Sequence, residues 1–313
     1  MNVWIVQKQM IMIFVMIIIG VYTYKKGHMS NESARHLSWI IVNITNPITL
    51  LCAALSEEEK VSAREVGIAF LCFALMYVIL IVLAYVIPML LGVDKNLRYS
   101  YRMLTIFGNV GFIGIPFASA VLGTRSLIFV SLCGLTFNMI IYTYGAASLR
   151  KVAATQHPET KQEDGISLKN MINSGTVLAV VTVAVYLLDI RVPEAVNTTL
   201  KYIANCTTFM SMMVLGVSVA QMVPREVFTR WRLYVFVVIR QILVPIMLIF
   251  ILRPFISNDL ILHTVAVMSA MPAANLPLMM AKQYGVREDL ISAGIILTTV
   301  LSLVTIPAVM LVL

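Results

Sequence analysis

Apolar runs of about twenty residues, separated by short polar breaks, dominate the chain. Ten of them fall at 3–24, 36–55, 66–91, 99–122, 127–149, 168–188, 196–222, 233–252, 260–283 and 290–313. Each is close to the roughly 20 residues a helix needs to cross a hydrocarbon core. The pattern therefore predicts an all-α integral membrane protein with ten transmembrane helices. Only one connection is both long and polar, "RKVAATQHPETKQEDGIS" at 150–167. It divides the chain into a first set of five spans, 1–149, and a second set, 168–313. Five is odd, so the second set enters the membrane inverted relative to the first.

Composition supports that class. The chain of 313 residues is 60% hydrophobic and 12% charged, with mean hydropathy +0.91, too few charges to coat a water-soluble surface. The net charge of +8 comes from basic residues scattered between apolar runs, which speaks against nucleic acid as a partner. Their distribution between the two sides is uneven. Fifteen Lys and Arg follow the odd-numbered spans, seven lie on the opposite side, and Arg240 is left inside a span. Basic loops stay in the cytoplasm. The expectation is a multi-pass inner-membrane protein with both termini outside and the 150–167 linker cytoplasmic. No basic segment precedes the first apolar run, so it does not resemble a cleaved signal peptide. Cys52, Cys72, Cys133 and Cys206 fall inside apolar segments and read as small buried residues. Trp4, Trp39, Trp231, Tyr99 and Tyr101 lie near span ends and read as interfacial belt residues.

Two spans are interrupted near their middles. "GNVGFIGIP" (108–116) puts three glycines, a proline and Asn109 inside the fourth, and "AMPAANLPL" (270–278) does the same to the ninth with Pro272, Asn275 and Pro277. The two segments are 162 residues apart. The same offset aligns "GTRSLIFVSLCGLTFNMIIYTYGAASL" (123–149) with "GVREDLISAGIILTTVLSLVTIPAVML" (285–311), each opening Gly-x-Arg. Matched interruptions in two inverted halves are the sequence pattern of a binding site at the bilayer midplane. Broken helices expose N–H and C=O groups that hydrocarbon cannot satisfy, so the breaks face protein or a polar cavity. The N-termini of half-helices favour anions. Gly111 and Gly114 allow close approach of backbone or ligand, and Asn109 and Asn275 supply side-chain donors.

Arg240, in "VVIRQILVP", is the charged residue deepest within a span. It offers a carboxylate a bidentate fork, or it snorkels to the interface or pairs with backbone carbonyls. No Asp or Glu lies deep in any span; Asp94 and Asp189 sit at ends and Glu57–Glu59 in a loop. A carboxylate-based site for sodium or protons is therefore not expected, and His263 is the remaining titratable candidate for coupling. Asn43, Asn46, Asn138, Tyr142, Asn205 and Gln241 read as interhelical hydrogen-bonding groups, with Asn138 the one placed to line the site. No motif demands a cofactor or metal, and no HExxH, GxSxG or acid pair marks an enzyme.

"GNVGFIGIP", "MPAANLPLMMAKQYG" and the closing "GIILTTVLSLVTIPAVMLVL" resemble the auxin efflux carrier family, including its bacterial malonate and malate permease members. The resemblance spans the whole chain. It implies two inverted five-helix repeats with crossed helices 4 and 9, similar to sodium/proton antiporters and bile-acid transporters. Spans 1, 2, 6 and 7 would form a dimerising scaffold, and spans 3–5 and 8–10 a moving transport domain. It places Asn109 and Pro116 in one crossover and Pro272, Asn275 and Pro277 in the other. The implied activity is secondary transport of a small organic anion by alternating access, with an anion channel or a facilitator for auxin-like aromatic acids as the alternative.

Overall fold

The computed structural model describes residues 3–55, 61–156, 174–221, 230–287 and 289–313. Among them the architecture is all-helical, and its sole β-type pairing is an isolated bridge between Gly108 and Ala273. In chain order the helices are α1 (Val3–Lys25), α2 (Asn31–Ile40), α3 (Asn46–Ala54), α4 (Ala63–Leu90), α5 (Arg98–Ile106), α6 (Ile115–Leu122), α7 (Leu127–Ile140) and α8 (Ala146–Gln156). They continue with α9 (Ser174–Leu187), α10 (Glu194–Ala220), α11 (Trp231–Val238), α12 (Val244–Leu252), α13 (Asp259–Ala270), α14 (Leu276–Gln283) and α15 (Asp289–Met310).

Single π-turns at Ile41–Thr45, Val110–Gly114, Ile141–Gly145 and Ile239–Leu243 join α2 to α3, lead into α6, and join α7 to α8 and α11 to α12. Three of the four run into Pro47, Pro116 or Pro245 in the first turn of the next helix. Proline has no N–H to donate and its ring crowds the carbonyl one turn back, so the helix widens by a residue rather than breaking. Counting through these turns, six helices among the described residues are long and apolar enough to cross a membrane: Asn31–Ala54, Ala63–Leu90, Thr124–Gln156, Glu194–Ala220, Trp231–Phe255 and Asp289–Met310. Shorter apolar helices lie at Ile11–Lys25, Val110–Leu122 and Asp259–Ala270. The chain is a multi-pass membrane protein.

Burial sorts the apolar side chains into two populations. Phe73, Phe107, Phe117, Phe129 and Phe236 are completely or nearly completely enclosed, whereas Ile11, Ile18, Leu71, Val78, Phe250 and Val304 face outward. An apolar outer surface is the expected one where the solvent is lipid. α1 lies along α10. A Cβ on Gly216 would sit 2.4 Å from the Ile17 carbonyl oxygen, and one on Gly20 2.6 Å from that of Met213, so only glycine lets these two helices approach so closely.

Some expectations need correction. Cys52, Cys72 and Cys133 are buried free thiols, but Cys206 is exposed on α10, because an apolar run around a helix turns part of itself toward lipid. Tyr99 and Tyr101 are buried against protein instead of facing outward as belt residues do, Tyr101 edge-on to Phe236 with ring centroids 5.2 Å apart, while Trp39 and Trp231 are exposed. The helix before the polar linker runs on through Gln156, past the expected end at 149. The rest of the linker and the start of the sixth expected span, 157–173, lie outside the described residues.

Candidate functional site at the crossing of two broken helices

α5 ends at Ile106 and the chain resumes helical geometry at Val110; α13 ends at Ala270 and resumes at Leu276. Between those points the two segments cross. The Asn109 N–H donates to the Pro272 carbonyl at 2.6 Å, and the Ala274 N–H donates to the Phe107 carbonyl at 2.9 Å. This antiparallel pair satisfies backbone groups that two lone breaks would leave bare in an apolar interior.

The remaining groups of each break are served differently. Asn109 closes the first: its Oδ1 accepts the Phe112 N–H at 3.0 Å, a side-chain cap on the turn that follows, and its own carbonyl accepts the Gly114 N–H at 2.9 Å. The second is braced from outside. The Ala273 N–H donates to Thr298 Oγ1 on α15 at 3.1 Å, and the Thr298 carbonyl in turn accepts from Gln241 Nε2 at 3.1 Å.

Arg240 links the two. It lies in the π-turn between α11 and α12 and is 2% exposed. Its Nε donates to the Thr105 carbonyl, in the last turn of α5, and its Nη1 to the Ser269 carbonyl, in the last turn of α13. Carbonyls in a helix's last turn have no partner within the helix and carry the negative end of its dipole. One guanidinium therefore caps both half-helices that enter the crossing. Of the alternatives open for this side chain in the sequence, the structure displays the pairing with backbone carbonyls. Gly108 lies beside it, where a Cβ would be 3.6 Å from Arg240 Nη2.

The other expected site residues surround this point. Asn109 is 3% exposed, and its Nδ2 is buried without a partner. Gly111 faces α3, where a Cβ would lie 3.4 Å from Asn46 Nδ2; a Cβ on Gly114 would lie 3.1 Å from Met268 Sδ. Pro116 is buried in the first turn of α6, Pro272 is buried within the second break, and Pro277 is buried in the first turn of α14. Asn275 is half-buried, and its carbonyl accepts from the Met279 N–H at 3.1 Å. Asn138 is half-buried on α7, a helix that packs against the Val110–Gly114 turn. Among the described residues no hydrogen bond joins its side chain to either break.

Sequence reasoning read Asn46 only as an interhelical hydrogen-bonding group and gave no role to Thr45 or Ser211. Asn46 Oδ1, Thr45 Oγ1 and Ser211 Oγ are all buried without a partner. One turn along the same faces, Thr49 and Thr207 share a hydroxyl–hydroxyl bond of 2.8 Å between α3 and α10. Unpartnered buried polar atoms cost about 1–3 kcal/mol each, so a ligand or water that paired with them would recover that cost. A usable signal existed in "TNP" at 45–47, a polar pair before a proline within an apolar run.

Comparison with known proteins places the chain. Residues 5–310 match the family described as membrane transport protein. An uncharacterized transporter of Methanocaldococcus jannaschii is 23% identical over 306 residues, covering 95% of both chains.

Proposed function

The chain belongs to the membrane transport protein family, the one its crossover motifs resemble, and on that premise we propose that it is a secondary transporter of a small organic anion, a carboxylate, working by alternating access. The family is one of transporters rather than enzymes. The observation that carries the proposal is the distribution of charge at the crossing. Arg240 neutralises the negative ends of α5 and α13. The positive ends of the helices that leave the crossing, Val110–Leu122 and Leu276–Gln283, have no acidic side chain in their first turns. What remains uncompensated favours an anion. The unpartnered Asn109 Nδ2 offers a neutral donor to one of its oxygens.

The rest of the proposal follows the sequence. Domains 1–149 and 168–313 are inverted five-helix repeats, and Gly123 and Gly285, the 162-offset pair that follows the two broken spans, share a positive φ, 84° and 66°. Spans 1, 2, 6 and 7 form a scaffold through which the protein dimerises, and spans 3–5 and 8–10 carry the ligand. Asn109, Gly111, Gly114, Pro116, Asn138, Pro272, Asn275 and Pro277 line the site, with Arg240 holding it in shape. Both termini lie outside the inner membrane and the 150–167 linker is cytoplasmic.

The test is counterflow in proteoliposomes. Vesicles loaded with unlabelled malonate, malate or an aromatic acid are diluted into the labelled acid. A carrier gives saturable uptake accelerated by the acid on the far side. Flux that rises linearly with concentration, indifferent to trans acid, supports a channel instead, and no flux of any acid sinks the anion proposal.

A further inference from the structure

Away from the crossing, a cavity of about 330 Å³ opens between the turn after α4 and the starts of α11 and α15. Three of the apolar spans begin or end there, Ala63–Leu90, Trp231–Phe255 and Asp289–Met310. That places the cavity where hydrocarbon gives way to water. Trp231, 64% exposed, stands at its edge, the position in which indole rings anchor at a membrane interface.

Its polar wall is formed by Arg230, Arg232, Arg287, Asp94 and Asp289, with Tyr99 and Tyr101 beside them. One pair is already engaged: Arg287 Nε lies 2.7 Å from Asp289 Oδ2. Among the described residues neither Arg230 nor Arg232 is in an ion pair. Arg232 lies 5.6 Å from the Trp231 ring centroid. Arg230 stands at the N-cap of α11 with no side-chain cap on that helix, so the positive end of its dipole adds to the two guanidiniums. Asp94 tempers that charge without cancelling it.

A planar carboxylate offers one edge, which a single guanidinium fork fills. A phosphoryl group is tetrahedral and offers two free oxygens as a diester and three as a monoester, so it serves two guanidinium groups together. The volume suits a headgroup-sized ligand, and basic pockets between spans at this depth are where anionic headgroups bind. We propose that this cavity binds a phosphoryl group, carried by an anionic lipid headgroup or by a soluble phosphate ester. The proposal does not depend on what crosses the membrane. Its consequence reaches the crossing all the same. α11 runs directly into the turn that holds Arg240, and α15 carries Thr298, so a ligand joining their outer ends braces both helices that hold the broken segments.

The experiment melts purified protein in neutral detergent with added phosphatidylcholine, with phosphatidylglycerol, or with glycerol 1-phosphate at matched ionic strength. Wild-type Tm is expected to rise by about 5 °C with phosphatidylglycerol or with glycerol 1-phosphate relative to phosphatidylcholine, and R230Q/R232Q to lose most of that rise. A rise with the lipid alone identifies the headgroup as the source; a rise with the soluble ester identifies a free phosphate. No rise in the wild type, or an equal rise in the double variant, overturns the proposal. Should the double variant not fold, native mass spectrometry decides. Preferential retention of phosphatidylglycerol or glycerol 1-phosphate by the wild type, weakened by Arg232→Lys, supports the site. Absent or unchanged retention rejects it.

Discussion

The two broken helices solve one problem in two ways. The first break, 107–109, is closed mainly from within: Asn109 caps the helical turn that follows, and its carbonyl accepts the Gly114 N–H. The second, 271–275, contains Pro272 and takes its support from neighbours, Thr298 directly and Gln241 behind it. Only the antiparallel pair between them and the guanidinium of Arg240 are common property. A self-capped strand beside an externally braced one means that damage to α15 loosens one half of the crossing and leaves the other intact. It also means that the first half spends its asparagine oxygen on structure and leaves the amide nitrogen without a partner.

Removing the shared element is expected to have the largest effect. Arg240→Leu orphans two helix-end carbonyls and should lower stability by about 2–4 kcal/mol, with Arg240→Lys recovering only part because it lacks the fork; denaturation followed by tryptophan fluorescence reads this. Next comes the brace of the second break. Thr298→Val keeps the shape but removes the acceptor for the Ala273 N–H, a loss of about 1–2 kcal/mol, and Thr298→Ser should restore it. Hydrogen exchange should speed up at 271–275 and stay unchanged at 107–112. Asn109→Ala removes the cap of the first break, costing about 1 kcal/mol, and should give the opposite exchange pattern. If both variants loosen both segments equally, the contrast between the breaks is wrong. The smallest effect belongs to Asn275→Ala. Its side chain is half-buried and makes no hydrogen bond among the described residues, so Tm should change by the equivalent of about 0.5 kcal/mol or less.

Much of this was legible in the sequence. Apolar run length locates the helices, and the Gly/Pro/Asn clusters at 108–116 and 270–278 mark the breaks, because both signals are local and strong. The partners were not legible. Nothing in "VVIRQILVP" says that Arg240 reaches Thr105 and Ser269, since a π-turn sets the direction of its side chain and helix periodicity does not foresee the turn. The question of where the last-turn carbonyls of two broken helices find donors would have pointed to the single deep cation. Tyr99, Tyr101 and Cys206 were misplaced for one reason: in a membrane protein a residue's type says little about whether it faces protein or lipid, both being apolar.

The central claim is that the crossing holds an organic anion through the amide left free on Asn109. Asn109→Ser separates structure from binding, because serine caps a helix nearly as well as asparagine but brings no amide donor. The decisive measurement is the dissociation constant of the most stabilising carboxylate for wild type and Asn109→Ser, by calorimetry in the same detergent. The account predicts a Tm close to wild type and an affinity weaker by about tenfold, the equivalent of about 1.4 kcal/mol. Unchanged affinity in a folded Asn109→Ser protein would contradict it.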